Sequence, residues 1–221
     1  LNSVMSQQTS YQTALNNVKT RLDNEETALR NSSDILVRIK ELSVQAANDT
    51  LSSQNRQAIA VEMQALRDQL LSLANSRDSN GNYLFAGSKV GKPAFAVNGS
   101  GSPAYQGDET RMQVSIGDQR SINVNRTGTD AFVTLIRTDG TEKTKGVGFF
   151  SSLDELIAGI KNSDQAAMQQ GLNEVDKLQT GVSMAQSSVG GSQAALDQQI
   201  SVIDATTLNL KSTLSNLQDL D

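Results

Sequence analysis

Residues 165–220 read QAAMQQGLNEVDKLQTGVSMAQSSVGGSQAALDQQISVIDATTLNLKSTLSNLQDL. Met168, Val175, Val182, Val189, Leu196, Ile203, Leu210 and Leu217 stand seven residues apart without a gap. Ile200, Thr207 and Leu214 add a flanking row. A strict seven-residue apolar repeat on helical geometry makes a left-handed coiled-coil seam. A helix from about 165 to 219, rising 1.5 Å per residue, is roughly 80 Å long and cannot cover such a stripe by itself. Gly181 and the Gly190-Gly191 pair each cost about 1 kcal/mol relative to Ala inside it, and they predict either close packing or a bend.

Partner stripes stand at the other end of the chain. Residues 1–80 contain no Gly and no Pro. Leu15, Leu22, Leu29 and Leu36 recur every seven residues, with Val4, Tyr11 and Val18 as a second row. Asn31-Ser32-Ser33 lies within this pattern as a bend rather than a stop. Ile35, Ile39, Leu42 and Ala46 carry the face onward at 3–4 spacing. Ala47-Asn48-Asp49-Thr50 is a stop signal, and Leu51-Ser52-Ser53-Gln54 restarts with a serine N-cap. Ile59, Met63, Leu66, Leu70 and Leu73 form the face of a second helix ending near Asn75. Both N-terminal helices are expected to cover the long C-terminal stripe.

The middle of the chain has another character. Both prolines, all five Phe and 11 of the 16 Gly lie between Gly81 and Phe150. Strands are predicted at Asn82–Ser88, Ala94–Val97, Arg111–Ile116, Ser121–Asn125 and Phe132–Ile136. Turn clusters separate them at Asn98-Gly99-Ser100-Gly101, Gly117-Asp118, Thr127-Gly128-Thr129-Asp130 and Thr138-Asp139-Gly140. No helical pattern intervenes, so the strands are expected to be antiparallel. Ser151-Ser152-Leu153-Asp154-Glu155 carries capping signals for a short helix to about Lys161. The predicted architecture is mainly α with a β insert (α+β). A long antiparallel coiled-coil or helical bundle comprises residues 1–87 with 151–221, and a small antiparallel β domain comprises 88–150.

Composition narrows the function. The 221 residues carry 19 Lys+Arg against 24 Asp+Glu, a net charge of -5, which argues against a nucleic-acid partner. Histidine and cysteine are absent. That removes His bases and triads, Cys nucleophiles, haem and Fe–S ligation and structural zinc. Trp is absent and aromatics make up 4%, sparse for the walls of a small-molecule pocket. No run approaches the 18 or so apolar residues of a membrane span, so no membrane role is expected. The opening LNSVMSQQTS has no start Met and no signal-peptide pattern, and predicts a segment of a longer protein.

Candidate chemistry is thin. There is no Walker A motif, and the glycines at 99, 101 and 107 read as turn residues. Asp78-Ser79-Asn80-Gly81-Asn82 resembles a calcium loop, but its glycine falls one place early and the final glutamate is missing, so a solvent turn is expected. Glu25-Glu26 and Asp154-Glu155 are adjacent on helices and point about 100° apart, which reads as solvated helix faces rather than an acid–base pair. Lys143 and Lys145 read as surface charge. No catalytic, cofactor-binding or metal-binding residue is assigned, and no cofactor is expected. The functional candidates are the seam residues Leu15, Leu22, Leu29, Leu36, Val175, Val182, Val189, Leu196, Ile203, Leu210 and Leu217.

The stretch 70–88, LLSLANSRDSNGNYLFAGS, resembles the hook-associated protein 3 family, the hook–filament junction proteins of bacterial flagella, which are related to flagellin. Pro93-Ala94-Phe95, Tyr105-Gln106-Gly107-Asp108 and Asn123-Val124-Asn125-Arg126-Thr127-Gly128 are similar to that family's insert. Val189-Gly190-Gly191-Ser192, Leu196-Asp197 and the closing Leu214–Asp221 are similar to its returning helix. The apolar end segments of the family are missing here, so the chain alone is expected to be monomeric. The resemblance implies a non-catalytic structural protein in a ring of copies, touching a neighbouring hook-associated protein and flagellin. It also implies type III flagellar export to the cell exterior, with an export chaperone for the full-length chain.

Two other structural readings stand beside it, and one enzymatic reading. One is flagellin itself, the filament subunit. The other is a coiled-coil adhesin or phage tail fibre with a β head, which would oligomerise as this very chain. A carbohydrate-active enzyme in the insert would need Asp108 for activity.

Overall fold

The computed structural model describes residues 1–99, 101–117 and 119–220. Ser100, Asp118 and Asp221, which belong to two expected turns and the closing motif, lie outside the described residues. In chain order the elements are α1 Asn2–Ala46, α2 Ser53–Ala74, β1 Phe95–Ala96, β2 Ala104–Tyr105, β3 Gln113–Gly117 and β4 Arg120–Asn123. There follow the single turn α3 Gly128–Ala131, β5 Leu135–Thr138, β6 Thr144–Val147, α4 Phe149–Lys161 and α5 Gln165–Gln218.

Helix α1 passes through Asn31-Ser32-Ser33 unbroken. The buried Ser32 hydroxyl donates to the Ala28 carbonyl one turn back at 2.7 Å, and Ser43 does the same to Ile39 at 2.6 Å. Spent on their own helix, these hydroxyls no longer offer the backbone an alternative turn. At its C-terminus, α1 is closed by a residue of the next helix. The buried Arg56 donates to the carbonyls of Ala46 and Asn48, both at 2.9 Å, covering oxygens that the helix itself leaves unpaired. Ser52 caps α2, its side chain accepting from the Asn55 N–H at 3.1 Å.

Helix α5 lies antiparallel along α1, and polar pairs mark the register. Gln12 donates to Asp204 at 2.8 Å, Lys19 faces Asp197 at 3.5 Å, Gln193 donates to Asp23 at 2.9 Å and Lys40 meets Asp176 at 2.7 Å. The expectation that both N-terminal helices would cover α5 needs correcting. Helix α2 packs on α1 and α4, while α5 packs on α1 and α4. Helix α4 is short but strongly apolar. Phe149, Phe150, Leu153, Leu156, Ile157 and Ile160 are all buried, so α4 fills the wedge that α2 was expected to fill.

The β residues form three separate antiparallel hairpins, β1–β2, β3–β4 and β5–β6, rather than one sheet. Ala104–Tyr105 and Thr144–Val147 are strands where none was predicted. Asn82–Ser88 is not a strand: apart from a bridge between Arg77 and Tyr83 it is a chain of turns. Phe132, read as a strand residue, caps α3, which opens with a capping box between Thr127 and Asp130. Two-stranded hairpins are marginal alone, and here they are held by a shared core. All five Phe meet in it. Phe132 contacts Phe85 and Phe95 edge-on, with centroids 5.6 Å apart in both pairs, and Phe149 edge-on at 5.2 Å. Phe150 packs on Phe95 at 5.3 Å.

Candidate functional site: the seam and the joints of the insert

The α1–α5 seam places most of the sequence-derived candidates in the core. Leu15, Leu22, Leu29 and Leu36 of α1 face Val175, Val182, Val189, Leu196 and Ile203 of α5, and all nine are buried. Leu210 and Leu217 are not brought in. Leu210 is half-buried and Leu217 is 52% exposed. The register that sets Gln12 beside Asp204 puts Leu210 opposite the polar run Ser6-Gln7-Gln8 and Leu217 past the first residue of α1. Burying each Leu or Val of the closed stretch contributes roughly 1.5–3 kcal/mol to holding α1 and α5 together.

The insert is bolted to this rod by buried polar residues whose roles sequence reasoning missed. Arg126 follows β4 and is 2% exposed. Its backbone N–H donates to Glu25 Oε1 at 3.2 Å and its Nη1 to Glu25 Oε2 at 3.3 Å. Nε donates to Ser188 Oγ at 3.0 Å, and Nη2 donates to Ser192 Oγ. One guanidinium thus ties the insert to both long helices. Glu25 is fully buried, which corrects the reading of Glu25-Glu26 as a solvated pair; Glu26 is half-buried and pairs with Arg30 at 3.0 Å. Arg21, one turn before Glu25, donates to the carbonyls of Leu84 and Val124 at 2.9 and 3.2 Å. Burial pushes the Glu25 carboxyl up to about 7, against the pull of Arg21 and Arg126. Burial likewise draws Arg126 down, against the pull of Glu25.

Three further joints repeat the principle. Arg137 of β5 grips the buried Glu174 of α5 at 2.7 Å and reaches Glu155 of α4 at 2.6 Å. Arg67 of α2 makes a forked pair with Asp154 of α4 at 2.8 and 2.9 Å, and Ser102 donates to the same carboxylate at 2.6 Å. Asp154 and Glu155 therefore work as separate struts. Asn75, the C-cap of α2, holds the backbone of Phe95 by both its N–H and its C=O.

The turn residues are used structurally. Asp78 Oδ1 accepts from the N–H groups of Asn80 and Asn82, closing its own loop at 2.8 and 3.0 Å. Asp108 accepts from the Ser88 N–H and hydroxyl and from the Thr110 N–H, which hold its carboxyl well below the usual carboxylate range. Gly87 beside it has φ +65°, and a Cβ there would run into the Asp108 carboxylate and carbonyl. Tyr105 donates to the Asp108 carbonyl at 2.7 Å, and burial pushes its phenol up to about 12. Lys143 and Lys145 are exposed.

Among the described residues no three or more acidic side chains converge as a metal site would require. No helix of the described residues is long and apolar enough to cross a membrane. The concavities are open grooves, such as that along α5 between Asp176 and Ser187, lined by Gln, Ser, Thr and Met184. The ion pairs and hydrogen bonds of Arg126, Arg137, Ser102 and Phe95 hold segment 88–150 against the helices.

Residues 1–90 match the bacterial flagellin N-terminal helical region. The chain is 30% identical over 197 residues to flagellar hook-associated protein 3 of Salmonella typhimurium, covering 82% of this chain and 61% of that protein. It thus spans about three-fifths of the length of the curated relatives it matches. The crystal structure of Xanthomonas campestris FlgL superposes with a TM-score of 0.83 at 24% identity, covering 98% of this chain and 100% of that one. The flagellar junction protein FlgL of Legionella pneumophila gives 0.77 at 20% identity, covering 89% and 98%. By sequence over four-fifths of its length, and by fold over nearly all of it, the chain is similar to the hook-associated protein 3 of bacterial flagella, with the flagellin N-terminal helical region at its start.

Proposed function

We propose that this chain is the hook–filament junction protein of a bacterial flagellum. Copies form a ring that adapts the hook-side proteins to the flagellin filament. The role is mechanical and non-catalytic: the rod, residues 1–87 with 151–221, carries load along its axis, and the insert, 88–150, faces outward. The chain reaches the cell exterior through the flagellar type III pathway, and an export chaperone escorts the full-length protein. By itself the chain is monomeric, because its seam is satisfied internally from Leu15 to Ile203. The observation that carries the reading is the joint between Asn75 and Phe95. The family-like stretch 70–88 and the Pro93-Ala94-Phe95 motif meet there through a forked hydrogen bond.

The match of residues 1–90 to the flagellin N-terminal helical region favours a second reading, the filament subunit. A clean deletion in the source bacterium separates the two. The expected result is bare hooks by electron microscopy, with flagellin monomer in the medium. Loss of the major flagellin band itself makes the chain the filament subunit, and normal filaments remove both readings. Light scattering of the purified chain is expected to give one copy; a trimer would favour a fibre instead.

A further inference from the structure

Gly190 and Gly191 sit side by side within α5, and packing demands neither. A Cβ on either meets no atom within 4 Å. Gly181 of the same helix differs, since a Cβ there would lie 2.6 Å from Val133. Two adjacent glycines weaken a helix interior, through backbone entropy and the exposure of its hydrogen bonds to water. This weak turn is bracketed by Ser188 and Ser192, one turn apart on one face. A single guanidinium grips both hydroxyls. Arg126 Nε donates to Ser188 Oγ at 3.0 Å and Nη2 donates to Ser192 Oγ, which in turn donates to the Asn123 carbonyl at 3.1 Å. The clasp belongs to the insert and spans the two glycines from outside the helix.

We propose that Gly190-Gly191 is a joint in α5 and that Arg126 is its latch. With the insert seated, α5 runs as one rod. With Arg126 withdrawn, the turn at 188–192 opens locally, while the buried Val189 and Leu196 keep the flanking turns on α1. The stiffness of the long helix is then set by the seating of the insert, and this holds whatever assembly the chain enters.

Hydrogen exchange read by mass spectrometry on the whole chain tests this. In the parent chain, peptides covering 186–196 and 174–184 are expected to be protected alike. Arg126→Met and the double variant Ser188→Ala/Ser192→Ala should each speed exchange at 188–193, on the order of tenfold, and leave 174–184 unchanged. Adding Gly190→Ala/Gly191→Ala to either should restore the parent rate. If Arg126→Met loosens the entire insert, the serine pair decides, because it leaves the Arg126–Glu25 pair in place. Parent-like protection in the serine variant, or failure of the alanines to restore it, overturns the proposal.

Discussion

Asn75 accepts a hydrogen bond from the Phe95 N–H and donates one to the Phe95 carbonyl, each at 2.8 Å. The side chain at the end of α2 thereby acts as a strand partner for β1, and the Phe95 ring is left pointing into the aromatic core. An asparagine that reads from sequence as a helix terminator is also the peg on which the insert hangs.

Replacing Asn75 by Ala strands two backbone groups of Phe95 in a half-buried site. A loss of about 2–3 kcal/mol in urea unfolding is expected. Asn75→Asp, which keeps the acceptor and loses the donor, should fall between the two. A change within 0.5 kcal/mol for the alanine variant would show that the fork carries no load.

The seam predicts a contrast between two leucines in heptad register. Leu22→Ala should cost about 3 kcal/mol, because the fully buried site cannot collapse onto the gap. Leu217→Ala should change the stability of the isolated chain by less than about 0.5 kcal/mol. Equal effects in thermal unfolding would contradict the antiparallel register.

Glu25 gives the joint a pH dependence whose sign is unusual for a carboxylate. Its carboxyl titrates near 7 in the folded chain and near 4.5 unfolded. Between those values the folded state holds a proton that the unfolded state has lost. Its contribution to stability is therefore full below about 4.5 and fades as pH rises through 7, by at most roughly 3 kcal/mol. The facing groups are Arg21 on α1, Arg126 on the insert, Asp78 beside Arg21, and the Ser188 and Ser192 hydroxyls of α5, which bind Arg126. Unfolding free energies of Glu25→Gln and the parent, compared from pH 4.5 to 8, should differ by this slope. Parallel curves would refute it.

Gly87→Ala forces a Cβ into the Asp108 turn at a positive φ. A loss of about 2–4 kcal/mol is expected from strain and the displaced carboxylate. Gly190→Ala, where the space is open and the backbone helical, should instead stabilise by about 1 kcal/mol. Thermal melts of the two variants check the opposite signs.

The amino-acid order alone determined the long elements. The heptads Leu15–Leu36 and Met168–Leu217, the Ser52 cap and the lack of Gly and Pro before Gly81 act through local geometry, so α1, α2 and α5 are legible without a partner in view. The concentration of every Phe between Gly81 and Phe150 likewise marks a segment of different character, although its side chains join the same core as the helices. Tertiary structure decided the rest. Whether Leu210 and Leu217 are buried depends on which residues of α1 lie opposite, and a repeat cannot state its own register. Short hairpins such as Ala104–Tyr105 carry too few residues for a pattern, and their pairing follows from packing on the aromatic core. Glu25, Arg56, Arg126 and Glu174 look like surface charges in a one-dimensional reading. Only the fold brings partners from 8 to 101 residues away and removes the water, and these turn each charge into a joint.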